Sequence, residues 1–319
     1  MHMFRRVVGL AVAAISLSAG AQTWPQRPVT IVVPYGAGGN SDLIARLTAA
    51  HLAPALGQPV VVENRPGAAG LVAAKYVADA HPDGYTLLMG TASQLVTAPF
   101  INANIAIDPV KSFEPVVKIG DNAFILAVRP QLAVRNLAEF VSYAKTNKAS
   151  YGSGGIGGIT HLASYLFARN AGVEMLHVPY KGGASAVSDL IGGQIDMYSA
   201  SPSEIISLSK SGKVKLLAIS SKKRLEQLPN VPTIAETYPG HEVESWNGLL
   251  APAGTPQAVL DRVASEVIKM KGDAHVTKKL EEAGITPVYL RGQAFSAEIR
   301  QQTAMWGPVL KNSGIQAKD

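Results

Sequence analysis

The chain has no cysteine. Disulfide scaffolds, thiolate metal sites and cysteine nucleophiles are thereby excluded. Aromatic residues are scarce, at 6%, too few for the stacking platforms of a nucleic-acid groove. The formal charge of +6 comes from no basic block, so nucleic acid is not an expected partner. The seven histidines show neither H-E-x-x-H nor a close pair along the chain, so no metal site is expected. G-x-x-x-x-G-K-[ST] and G-x-S-x-G are also missing, which removes the P-loop and the nucleophile elbow. With 47% hydrophobic and 16% charged residues, the composition is globular rather than disordered.

One apolar run stands out. Val7 to Leu17 follows Arg5 and Arg6 and precedes Ala19-Gly20-Ala21, which puts small residues at −3 and −1 of a cleavage site. The run is shorter than the ~20 residues that span a bilayer. The pattern predicts a signal peptide over residues 1–21, cleaved near Ala21, and a periplasmic mature protein. An exported protein has no free ATP or NAD pool, so no cofactor is expected. The 319 residues suffice for two modest domains.

From Pro28 onward strands and helices alternate. Val29 to Val33 reads as a strand buried on both faces of a parallel sheet. Ser41 to Leu56 reads as a helix, with Gly57 just past its end. The unit repeats over Val60 to Val62, Ala68 to Ala80 and Tyr85 to Met89. A second series starts at Phe124, with strands at Ser150, Met175, Ile195 and Lys215. Trp246 to Ala251 then resumes as a strand, and the tail reads as mostly helical. The class is α/β. Crossings near Asn122-Ala123 and Glu244-Ser245 divide the chain into lobe one (residues 22–122 plus 246–319) and lobe two (residues 123–245), joined by a hinge around a cleft.

Two strand–loop–helix junctions carry the chemistry. The first is Pro34-Tyr35-Gly36-Ala37-Gly38-Gly39-Asn40-Ser41-Asp42; the second runs from Tyr151 through Gly152, Gly154, Gly155, Gly157 and Gly158 to His161. Glycines let an oxygen approach the backbone, and the following helix contributes unpaired N–H groups and the positive end of its dipole. Such a junction holds a carboxylate or phosphate without an arginine. The second loop also matches the dinucleotide fingerprint G-x-G-x-x-G, but the next strand ends in Pro179-Tyr180-Lys181, where an acid is required for the ribose. His161 reads either as a donor to a bound anion or as a packed, capping residue; Lys181 adds positive potential to the cleft, and Asp196 orders a turn.

Short segments in a fixed order then become recognisable. They include Trp24-Pro25-x-Arg27-Pro28, Val33-Pro34-Tyr35-Gly36-x-Gly38-Gly39-x-x-Asp42, Val61-Val62-Glu63-Asn64-Arg65-Pro66-Gly67, Pro82-Asp83-Gly84-Tyr85-Thr86, Val178-Pro179-Tyr180-Lys181-Gly182 and Trp246-x-Gly248-Leu249-x-Ala251-Pro252. From Trp24 to about Ile315 the chain resembles the Bug-type receptors, the extracytoplasmic solute-binding proteins of tripartite tricarboxylate transporters. The resemblance implies a two-lobe periplasmic-binding-protein fold closing on a small organic carboxylate, a monomer that serves membrane subunits of a transporter and performs no reaction. It points to Tyr35, Gly38, Gly39 and Asp42 in lobe one. In lobe two it points to Gly152, Ser153, Gly155, Gly158, Thr160 and His161. The family often has Phe where Tyr35 stands. Ala92, Ser93, Tyr180, Lys181 and Ser199 lie at strand ends, where open α/β sheets bind ligands, and are candidates for contacting the ligand's middle. Asn64 and Arg65 are expected to brace a loop, and Trp246 the hinge. A ligand with a carboxylate at each end suits two facing helix ends best. The competing readings are an exported sensor for a signalling partner and an exported hydrolase or isomerase using His161.

Overall fold

The structure is a computed structural model and describes residues 24–102, 107–180 and 182–313. The signal peptide expected over residues 1–21 and the site residue Lys181 lie outside the described residues.

The first half of lobe one contains β1 (Val29–Val33), α1 (Asn40–Leu56), β2 (Val60–Asn64), α2 (Leu71–Ala78), β3 (Thr86–Thr91) and α3 (Ala98–Ile101). β4 (Phe113–Ala123) then leads to β5 (Ile125–Val128), α4 (Leu137–Thr146), β6 (Ser150–Ser153), α5 (Ile159–Ala171) and β7 (Leu176–Pro179). α6 (Gly183–Gly192), β8 (Met197–Ala200), α7 (Pro202–Lys210) and β9 (Lys215–Ile219) follow. The chain returns through β10 (Glu244–Pro252) to α8 (Gln257–Lys269), α9 (Ala274–Glu282), β11 (Ile285–Arg291) and α10 (Gly292–Ser313). Two sheets result, in the orders β11-β4-β10-β3-β1-β2 and β7-β6-β8-β5-β9.

The apolar run of β1 explains the first sheet. Val29, Ile31 and Val33 face one way, onto Ile44 and Leu52 of α1 and Val263 and Val267 of α8. Val32 faces the other way, into a core shared with Val77 and Phe295. Burial on both faces is what parallel pairing of β1 with β2 and β3 requires. Gly57 ends α1 at φ +68°, a left-handed cap that glycine adopts without strain.

Two strands correct the reading of the sequence. β11 lies in the gap between the second and third helices of the tail, where no strand is read from the sequence, and β4 is likewise not read there. β11 is an edge strand whose register slips between Pro287 and Leu290, with Tyr289 at φ +53°. Proline is tolerated at such an edge, and the irregularity erases the alternation that would reveal a strand. β4 is disguised by polarity. Its Lys118 is only 4% exposed, yet it pairs with Asp121 at 2.9 Å and with Glu298 of α10 at 2.7 Å.

β4 and β10 are antiparallel neighbours, pairing Ala123 with Glu244 and Asp121 with Trp246. The Trp246 ring is buried edge-on against Phe295 at 4.8 Å, and its Nε1 donates to Gln302 Oε1 at 2.8 Å. Beside it, burial and the neighbouring Asp121 and Glu242 push the Glu244 carboxyl up to about 7. A carboxyl that binds its proton more tightly in the folded state than in the unfolded one costs stability as pH rises from its ordinary value to the raised one, and no more above it. Glu244→Gln is therefore expected to stabilise the protein near pH 8 by about 1–3 kcal/mol and to add little near pH 5. Urea melts at both pH values check this; an equal gain at both sinks it.

Candidate ligand-binding cleft

Loop one joins β1 to α1. The N-cap of α1 is Gly39, which offers no side chain, so the first-turn N–H groups keep no side-chain partner. Gly38 sits at φ +90° and donates its N–H to Asp42 Oδ2 at 2.9 Å. The buried Asp42 carboxylate also accepts from Arg46 Nε at 2.9 Å, Arg46 Nη2 at 3.0 Å and Asn64 Nδ2 at 3.0 Å. The Arg46 hydrogen bonds above all hold its pKa below the ordinary carboxylate range. Asn64 Nδ2 reaches the Tyr35 carbonyl as well, at 3.0 Å. Asp42 thus ties the loop together from inside, and its oxygens are already committed. Gly36, Ala37, Gly38 and Gly39 are all exposed, so Gly38 and Gly39 belong to the part of the loop that faces outward.

Half-buried Tyr35 shares a hydrogen bond with Thr91 Oγ1 at 3.0 Å and lies beside Ser93. Thr91 ends β3, and buried Ala92 and Ser93 start the π-helical turn Ser93–Thr97. Burial raises the Tyr35 pKa, so this chain of hydroxyls is neutral.

Loop two joins β6 to α5 and is folded onto itself. Gly154 N–H donates to Thr160 Oγ1 at 3.0 Å, Gly155 N–H to Ser153 Oγ at 3.2 Å, and Gly157 N–H to His161 Nδ1 at 3.0 Å. Gly158 is the N-cap of α5 and again provides no side-chain cap. The first-turn N–H groups of α5 are therefore the donors that loop two can offer an anion. His161 accepts a hydrogen bond here, which is the capping alternative of its sequence reading. Burial, helped by His177, brings its pKa down to about 3; burial alone brings His177 to about 4.

The remaining candidates are turned toward their own lobe. Tyr180 donates to Asp189 Oδ2 at 2.7 Å, and buried Ser199 accepts from Ser164 Oγ at 2.9 Å. Gly152 and Ser153 are buried in β6. Asp196 accepts from Arg129 Nε at 2.8 Å and from Ser150 N–H at 2.8 Å, the structural role its sequence position suggested.

The lobes meet at the loops. Thr97 Oγ1 lies 3.4 Å from the Gly157 carbonyl, and Ser203 Oγ donates to Asn40 Oδ1 at 3.3 Å. Ile101 packs so close to Gly157 that a Cβ there would stand 1.7 Å from its Cδ1. Thr91, Thr97 and Ile101 were missed in the sequence. Thr91 was within reach of the strand-end rule, whereas the apolar stretch around Thr97 and Ile101 carries no recognisable pattern. Cavities of about 690 Å³ and 560 Å³ share Asp121, Glu242 and Glu244 and lie along β4 and β10, away from the glycine loops. Among the described residues no group of three His, Cys, Asp or Glu is placed to hold a metal, and no helix is long and apolar enough to cross a membrane.

The profile of the tripartite tricarboxylate transporter family receptors matches residues 44–315. The chain belongs to that family. Among solved structures, the periplasmic binding protein BugD is 35% identical, with a TM-score of 0.81 over 92% of this chain and 100% of its own. A Rhodopseudomonas palustris protein solved with adipate is 36% identical, with a TM-score of 0.84 over 92% of this chain and 99% of its own. A second protein of that organism, MatC, solved with bound malate, is 31% identical, with a TM-score of 0.80 over 90% of this chain and 100% of its own. The receptor therefore has the two-lobe periplasmic-binding-protein fold, and its family and structural neighbours are solute-binding proteins.

Proposed function

We propose that this receptor captures a small organic carboxylate in the periplasm, by closure of its lobes, and delivers it unchanged to the membrane subunits of a tripartite tricarboxylate-type transporter. One observation carries the reading: two glycine-capped helix N-termini, of α1 and α5, follow strands of different sheets, and the contacts Ser203–Asn40 and Thr97–Gly157 join those two loop regions to the opposite half of the chain. Each presents uncapped N–H groups and the positive end of a helix dipole. The dicarboxylates in the two R. palustris proteins support a ligand with an acid at each end. Rotation about β4 and β10, between lobe one (22–122 plus 246–319) and lobe two (123–245), brings both grips onto one molecule, as a monomer suffices to do.

A thermal-shift screen of dicarboxylates, aromatic acids and amino acids tests this. A ligand specific to the folded state adds about 2.7 kcal/mol at a hundredfold excess over its Kd. At least one acid should stabilise the receptor, its diamide or diester should not, and the acid should be recovered intact. An equal response to acid and amide removes the anion argument, and conversion of the acid favours an exported hydrolase or isomerase.

A further inference from the structure

His161 and His177 are sixteen residues apart in the chain and on different elements, yet their rings are parallel within 7° with centroids 3.7 Å apart. Tyr151 extends the stack, its ring 5.0 Å from His177 and 6.0 Å from His161. Each imidazole has one nitrogen tied to loop two. Gly157 N–H donates to His161 Nδ1 at 3.0 Å. Ser153 Oγ lies 2.7 Å from His177 Nε2, and the same oxygen accepts from Gly155 N–H at 3.2 Å. Two of the glycine N–H groups in the loop are thus placed by these two rings, one directly and one through a serine.

We propose that His161 and His177 are positioning residues for ligand capture: stacked and neutral, they hold the second glycine loop in its binding shape, and a proton on His161 Nδ1 releases the loop and the ligand. The inference rests on the function proposed above. A proton on His161 Nδ1 turns an acceptor into a donor facing the Gly157 N–H, which must then leave. Two imidazolium rings at this separation repel, so the pair takes up its protons in steps rather than together. The groups bearing on the stack are Tyr151 from β6 and, acting on Tyr151, Tyr165 from α5; among the described residues no carboxylate acts on either ring. Among the described residues no opposite charge offsets the cost of charging the buried pair, and burial lowers the pKa of both rings. The Gly157 carbonyl faces Thr97 across the cleft, so displacing that peptide loosens the contact between lobes together with the anion grip.

Nuclear magnetic resonance of the histidine rings and glycine amides in the ligand-free receptor tests the coupling without any ligand. On titration from near pH 8 to near pH 2.5, both rings should stay neutral until below pH 5, with His161 carrying its single proton on Nε2. The Gly157 amide signal should move with the protonation step of the His161 ring. Rings that titrate near their ordinary value of about 6.5, or without moving that amide, overturn the proposal. Calorimetry with malate and adipate near pH 7.5 then reads the link to ligand. His161→Phe keeps the stack and loses the acceptor, and should weaken binding about tenfold, the size of one lost hydrogen bond. His161→Asn places an oxygen near the position of Nδ1 and should restore affinity to within about threefold. Equal losses in both variants, tracking only their unfolding midpoints, show a merely structural pair and overturn the proposal. If the wild type binds neither acid, the aliphatic dicarboxylate as ligand is what fails, and the amide titration still decides whether the pair sets the loop.

Discussion

Replacing Gly157 with valine is expected to weaken ligand binding by about a hundredfold or more, equivalent to ~2.7 kcal/mol, while the separate lobes stay folded. Two costs combine at this residue. Its φ of +73° is a left-handed conformation that a β-branched residue adopts only under strain. Its new Cβ would also stand 1.7 Å from Ile101 Cδ1 and 3.1 Å from Ile101 Cγ1. That collision is with the other lobe. Under the lobe closure proposed above, an open hinge relieves it and a closed one cannot, so the substitution penalises the state that ligand needs. The variant should scatter X-rays as a more extended particle that an acid no longer compacts. Gly157→Ala combined with Ile101→Ala separates the two costs: the double variant should recover the part due to the collision and keep the part due to φ. Binding within threefold of wild type in Gly157→Val would show that this approach of the lobes plays no part in capture.

Asp42→Ala should cost about 2–4 kcal/mol of stability, far more than removal of its ion-pair partner. The carboxylate is buried and accepts from the Gly38 N–H and the Asn64 amide as well as from Arg46. The Arg46 side chain is 55% exposed, and exposed ion pairs contribute only about 0–1 kcal/mol. Arg46→Ala should therefore be mild, because it leaves the two inward hydrogen bonds in place. The folded pKa of Asp42 lies below its unfolded value. Its contribution is thus complete above the ordinary carboxylate pKa of about 3.9 and fades as pH falls through the lower folded value. Urea melts near pH 7 give the comparison. Losses below about 1 kcal/mol in both variants would mean that Asp42 does not hold loop one. A collapse of affinity in Asp42→Asn at unchanged stability would return the carboxylate to the ligand.

The residues themselves determined the α/β class and both glycine junctions, because those signals are local. Val29 to Val33 is apolar at every position, and Gly57 and Gly172 end α1 and α5 in the left-handed conformation that glycine allows. The order of short segments from Trp24 onward also sufficed to place the chain among the receptors of its family. Tertiary structure decided what each polar side chain does. Asp42 is a candidate ligand contact in the sequence, and only the structure shows Asn64, on the next strand, reaching it. Seven histidines without a close pair along the chain still yield two stacked rings, because β6, β7 and α5 converge under loop two. β4 is invisible to periodicity because its buried Lys118 depends on Glu298, 180 residues away. Gly157 looked like one glycine among many until Ile101, from the other lobe, filled the space beside it. Periodicity and turn chemistry act between neighbours in the chain. Neutralising a buried charge, choosing a histidine tautomer and excluding a Cβ all depend on partners that only folding brings near.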